Sequence, residues 1–73
     1  MELSFEDLVN MAKEAGWDKF LDGLTLVHTQ LWGQIEYYTQ MGNPDKAAQL
    51  QPVYDAQEET IDKLKTYRSD NDL

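Results

Sequence analysis

Along most of this chain, apolar residues recur at alternating steps of four and three, the spacing that keeps one stripe of an α-helix facing a neighbour. The longest run is Trp17, Leu21, Leu24, His28, Leu31, Ile35 and Tyr38, flanked by Phe20, Val27 and Trp32. It predicts one helix with an apolar side wide enough to be packed by two neighbours, and so a central one. Asp22-Gly23 is its weak point, because that pair also suits a turn; the unbroken seam favours a single helix. A second run, Ala47, Leu50, Tyr54, Gln57, Ile61, Leu64 and Arg68, repeats the spacing with Val53 and Tyr67 beside it. It predicts a helix from Pro44 to about Arg68. Pro52 lies inside that helix without an amide donor, so a kink or break near Gln51 is expected.

A shorter helix is predicted over residues 5–15. Ser4 has the short polar side chain of an N-cap, Asp7 three residues on completes a weak capping box, and Glu6 and Asp7 suit the positive end of the helix dipole. Phe5, Leu8, Met11, Ala12 and Ala15 supply its apolar stripe, and Gly16 a C-terminal stop. Between the two long helices, Gly42 suits a left-handed position, Asn43 an N-cap and Pro44 the first helical position. So short a link makes the flanking helices antiparallel neighbours. The expected fold is all-α: a short N-terminal helix packed on a long antiparallel helical hairpin, three helices in all, with the turn at Gly42-Asn43-Pro44. Residues 1–68 form a single helical domain, and residues 69–73 a frayed acidic tail.

Reflecting positions about that turn sets a register. Ile35 faces Leu50, Leu31 faces Tyr54, and Leu24 faces Ile61. His28 then falls opposite Gln57, which puts one polar layer in both seams, and His28 is expected to hydrogen-bond there and fix the register.

Composition narrows what such a hairpin does. Seventy-three residues make one domain at most, and a chain this small needs regular packing, a staple or a partner to be stable. There is no cysteine and one histidine, which removes disulfides and thiolate metal sites and makes a histidine site improbable. Fourteen acidic against six basic residues give a net charge of −8. That balance disfavours direct binding to nucleic acid and to anionic membranes, while suiting a basic protein surface or plain solubility. From Leu24 to Met41 the only full charge is Glu36, yet Thr25, His28, Gln30 and Gln34 interrupt the stretch too often for a membrane span. The first residues have no basic segment of a signal peptide, so a cytoplasmic location is expected.

No catalytic constellation emerges. Ser4 reads as a cap, Ser69 lies near the end, and His28 sits within a helix seam, where a packed histidine is the ordinary role. Asp55, Glu58, Glu59 and Asp62 place carboxylates on neighbouring turns, but the facing helix offers only Glu36 and His28 at other heights; no cofactor or metal is expected. Measured against the tetratricopeptide pattern, Trp32, Ile35 and Ala48 fit one hairpin, but Glu36, Thr39 and Pro52 depart from it and no second copy exists. The sequence identifies no family.

Aromatic side chains remain. Trp17, Tyr38 and Tyr54 suit the core, whereas Trp32 and Tyr37 lie off the seam, and Trp and Tyr dominate interface hot spots. Either the first helix covers Trp32 or another chain does. The expectation is a small acidic non-enzymatic protein–protein interaction module, a homo-oligomer or a small subunit docking on a larger assembly. Its partner-binding residues are Trp32, Tyr37, His28, Trp17 and Tyr54. The alternative is an acidic inhibitor that imitates nucleic acid and blocks a basic groove.

Overall fold

A computed structural model describes residues 3–73 and contains three helices: α1 (Phe5–Ala15), α2 (Trp17–Gln40) and α3 (Pro44–Asp70). The ends are set by the residues expected to set them. The Ser4 hydroxyl accepts from the Asp7 amide at 3.2 Å, and the Asp7 carboxylate accepts from the Ser4 amide at 3.1 Å, a complete capping box. Gly16 alone joins α1 to α2, with φ at +95°, and its amide donates to the Ala12 carbonyl at 2.9 Å. A side chain there would be strained, so glycine is required. At the hairpin turn Gly42 has φ of +77°, Asn43 accepts from the Lys46 amide through its side chain, and Pro44 opens α3.

α2 runs unbroken through Gly23, and α3 unbroken through Pro52. Of the kink or break expected near Gln51, the break does not occur. Pro52 lies on the exposed side of α3, so the Ala48 carbonyl that lost its partner faces water, and packing against α2 carries the helix past it. The other end of α3 also extends further than the pattern suggested. Ser69 and Asp70 are helical, and the last residues fold back, with the Leu73 amide donating to the Arg68 carbonyl at 3.0 Å and Arg68 Nε donating to the Leu73 carbonyl at 2.9 Å.

Every position of the two long seams is buried or half-buried, from Trp17 to Tyr38 in α2 and from Ala47 to Arg68 in α3. The register about the turn is also as read. Trp17 stacks on Tyr67, and Arg68 donates to Asp18 at 2.6 Å, which ties the open end of the hairpin. In α1 the inward stripe is Leu8, Val9 and Ala12, not one running through Met11 and Ala15, both exposed. α1 meets α2 and α3 at once, and that approach turns Val9 inward.

The core lies at this end. Val9, Ala12, Trp17, Leu21 and Leu64 form its buried centre, packed about by Leu8, Phe20, Leu24 and Tyr67. An eleven-residue helix is only about 16 Å long against about 36 Å for α2, so α1 covers less than half of the hairpin. Towards the turn, only α2 and α3 pack on each other, around Ile35 and Ala47. The result is a rod of 45 × 22 × 20 Å. Among the described residues, no helix is long and apolar enough to cross a membrane.

Candidate functional site

Halfway along the hairpin, three rings from the two helices gather. The His28 and Tyr54 rings lie 3.9 Å apart between centroids, and Trp32 lies 5.3 Å from Tyr54 on the other side. His28 is half-buried as the seam demands, but it makes no hydrogen bond. Its Nδ1 and the Oε1 of Gln57 are both buried without a partner. The polar layer therefore exists at the expected height, while its hydrogen bond does not; Tyr54 occupies the face of the imidazole instead. Two unpaired polar atoms leave this layer weaker than an apolar one of the same volume.

The five residues read as partner-binding separate in space. Trp17 is buried in the core, against Leu21, Leu64 and Tyr67, and is not open to a partner. His28 and Tyr54 are half-buried between the long helices. Trp32 and Tyr37 remain open, 42% and 58% exposed. α1 ends well short of Trp32, so the first helix does not cover it. The two residues also do not share a surface: five positions apart on a helix, they point about 140° from each other. Trp32 leans on Tyr54 at the flank of the hairpin, whereas Tyr37 stands on the outer face of α2 with its ring edge against Tyr38 at 5.5 Å.

That outer face holds a strip the apolar seam does not account for. Gly23, Leu26, Gln30, Gly33 and Tyr37 follow one another at steps of three and four, on the side of α2 away from α3, with Val27, Gln34 and Met41 beside them. Leu26 is 60% exposed and Met41 67%. Nothing on the strip is charged, although the chain carries a net −8. Neither glycine has any atom within 4 Å of the point where a side chain would begin, so internal packing does not require them. The spacing is present in the sequence, but most of its members are small or polar and carry no hydrophobic signal of their own.

A different surface lies between the start of α1 and the outer side of α3, an open groove of about 940 Å³. Leu3, Phe5, Leu8 and Tyr67 give it an apolar floor, and Asp55, Glu58, Glu59, Asp62 and Asp70 surround it. Lys63 is the only basic side chain on it among the described residues, and Glu59 holds that ammonium at 3.1 Å. The groove can take a cation or a basic protein segment by charge alone. Among the described residues, no group of three or more histidine, aspartate or glutamate side chains converges as a metal site would require.

Comparison with protein-family models, with curated proteins and with solved structures gives no match to this chain.

Proposed function

We propose that this is a small, acidic, non-enzymatic interaction protein that works by docking one side of its helical hairpin onto another polypeptide, a second copy of itself or a subunit of a larger assembly. One observation carries the reading. On the outer face of α2 a −8 chain leaves an uncharged strip with Leu26, Tyr37 and Met41 open to water. Charge keeps small proteins soluble, so its withdrawal from one exposed apolar strip marks a surface meant to be covered. Trp32, resting on Tyr54 at the hairpin flank, extends the open apolar area round the side. A cytoplasmic location accords with a cysteine-free chain that needs no oxidising compartment.

The test compares the chain with its Tyr37→Ala and Trp32→Ala variants. Light scattering at low and high ionic strength reads self-association, and affinity capture reads other partners. Association that resists salt and is lost in the variants, with far-UV circular dichroism unchanged, is the expected result. Association that survives both substitutions places the interface elsewhere.

The acidic groove favours a second reading, an acidic inhibitor whose carboxylates occupy a basic surface as nucleic acid does. Asp55, Glu59 and Asp62 stand on successive turns of α3, one turn being about 5.4 Å. Binding of that kind falls steeply with salt, opposite to the behaviour of an apolar strip.

A further inference from the structure

The groove between the start of α1 and the outer side of α3 has two unlike walls. The α1 side is hydrocarbon, from Leu3, Phe5 and Leu8, and the Phe5 and Tyr67 rings meet edge to face across the floor with centroids 5.8 Å apart. The α3 side is acidic. Asp55, Glu59, Asp62 and Asp70 follow one another at steps of four, three and eight along one stripe of the helix, with Glu58 beside them. From this pairing of walls we infer that the groove takes a basic amphipathic helical segment of another protein. Its large apolar side chains lie on Leu3, Phe5 and Tyr67, and its lysines or arginines lie along the α3 carboxylates. The inference goes beyond both readings above: the α2 strip takes no part in it, and the hydrocarbon wall is required as well as the charge.

Charge fixes the sign of that occupant. Glu59 has Lys63 beside it, but among the described residues Asp55, Glu58, Asp62 and Asp70 have no cation within ion-pair distance. A second copy of this −8 chain is disfavoured there, whereas each lysine or arginine laid along the stripe meets an opposite charge. The carboxylates are strung along the helix and do not converge, so the stripe is not a metal cage. Charge alone does not account for the groove, because Leu3 and Phe5 stand 61% and 39% exposed on it, and a purely ionic partner leaves them in water. Spacing fixes the form. Carboxylates three and four residues apart rise about 4.5 and 6 Å along α3, which matches basic residues three and four apart on a helix lying alongside. An extended segment returns a side chain to the same side only every ~6.7 Å and falls out of step. An amphipathic helix also carries its apolar and basic stripes side by side, as the two walls require. From Asp55 to Asp70 the stripe runs about 22 Å, so four turns of a partner helix cover it.

The experiment uses the full chain and a synthetic helical peptide of about sixteen residues, with arginine at every third or fourth position and leucine on the adjoining stripe. Its twin carries the same charge, with glutamine in place of each leucine. Isothermal titration calorimetry reads both. The first peptide should bind, and the twin should bind at least about tenfold more weakly, as expected when a leucine is no longer buried. Leu3→Gln, which precedes α1 and lies outside the core, should weaken the first peptide about tenfold with circular dichroism unchanged. Asp55→Asn combined with Asp62→Asn should weaken it about fivefold, whereas Asp22→Asn combined with Glu36→Gln, which removes the same charge from α2, should change it about twofold or less. Equal binding of the two peptides, or full binding to Leu3→Gln, overturns the apolar wall and leaves an inhibitor that binds by charge alone. Equal effects of the two double variants overturn the groove as the place of binding. Failure of both peptides to bind overturns the inference outright. Tyr37→Ala and Trp32→Ala should leave the affinity unchanged; a loss in either moves the peptide to the other side of the hairpin. The reading of the α2 strip, which rests on association without this peptide, stands or falls separately.

Discussion

The two ends of the hairpin are built from the same heptad spacing but are held by different amounts of packing. At the open end, α1 lies across α2 and α3, and Val9, Ala12, Trp17, Leu21 and Leu64 close into a buried cluster, with Leu64 fully buried. At the turn end, the same two seams meet without a third helix, and Ile35 and Ala47 are the residues that become buried, each still slightly open. Leu31, Tyr38, Leu50 and Tyr54 stay half-open there. A seam specifies which residues face each other; the layer on the far side decides how much water they lose. The best-buried cluster of this protein therefore sits at the α1 end, and the turn end is packed more sparsely.

The sharpest way to break that comparison is to truncate a leucine and an isoleucine at equivalent seam positions of the two ends. Leu64→Ala removes the residue on which all three helices converge and is expected to cost about 3–4 kcal/mol, by the range for fully enclosed leucines. A chain of 73 residues has a total stability on the order of 5 kcal/mol, so this variant should be largely unfolded at 37 °C in a thermal melt followed by circular dichroism. Ile35→Ala, with only one helix packed on it, should cost about 2 kcal/mol. Equal costs would show that the turn end is as tightly enclosed as the other. If the Ile35→Ala cost grows with protein concentration, a second chain is supplying the missing layer, as mass action requires.

Pro52 tests the turn end from the opposite direction. It lies in α3 on the side facing water, where it removes one backbone donor and leaves the Ala48 carbonyl without its helical partner. Proline in a helix interior costs about 3 kcal/mol, part of which is returned because it also restricts the unfolded chain. Pro52→Ala is accordingly expected to raise stability by about 1–2 kcal/mol, seen as a higher midpoint in urea with an unchanged slope. A loss of stability would mean that α3 needs its proline to follow α2, and that the turn end is shaped by backbone geometry more than by sparse packing.

These differences also explain what could be read from the sequence. Spacing is a property of backbone geometry, so Trp17 to Tyr38 and Ala47 to Arg68 gave both seams, their register and the turn between them. The inward stripe of α1 was misjudged at Val9 and Met11, because a short helix is rotated by what it packs on and has little pattern of its own. His28 was placed at the right height, but whether its ring reaches Gln57 or lies on Tyr54 depends on rotamers that spacing does not encode. Trp32 and Tyr37 were grouped by residue type although five positions on a helix set them on different sides. The strip through Gly23, Gln30 and Gly33 follows from the same spacing, yet these members are small or polar and give no hydrophobic periodicity.

The smallest expected effect concerns a polar tie across the open end, between Arg68 and Asp18. Arg68 donates to Asp18 at 2.6 Å, with the arginine side chain 32% exposed and the aspartate 84%. A pair so open to water contributes little, because solvent screens the attraction and ordering two side chains costs entropy. Asp18 also stands in the first turn of α2, where a negative charge interacts favourably with the helix dipole whether or not Arg68 is present. Asp18→Asn mixes the two effects, and a double-mutant cycle with Arg68→Gln separates them. The cycle should return a coupling below about 1 kcal/mol that shrinks further at high ionic strength. Packing would then remain the cause of the difference between the ends. A coupling as large as the loss in Leu64→Ala would reverse that assignment: the open end would be held by a charge-assisted tie that α1 merely shelters.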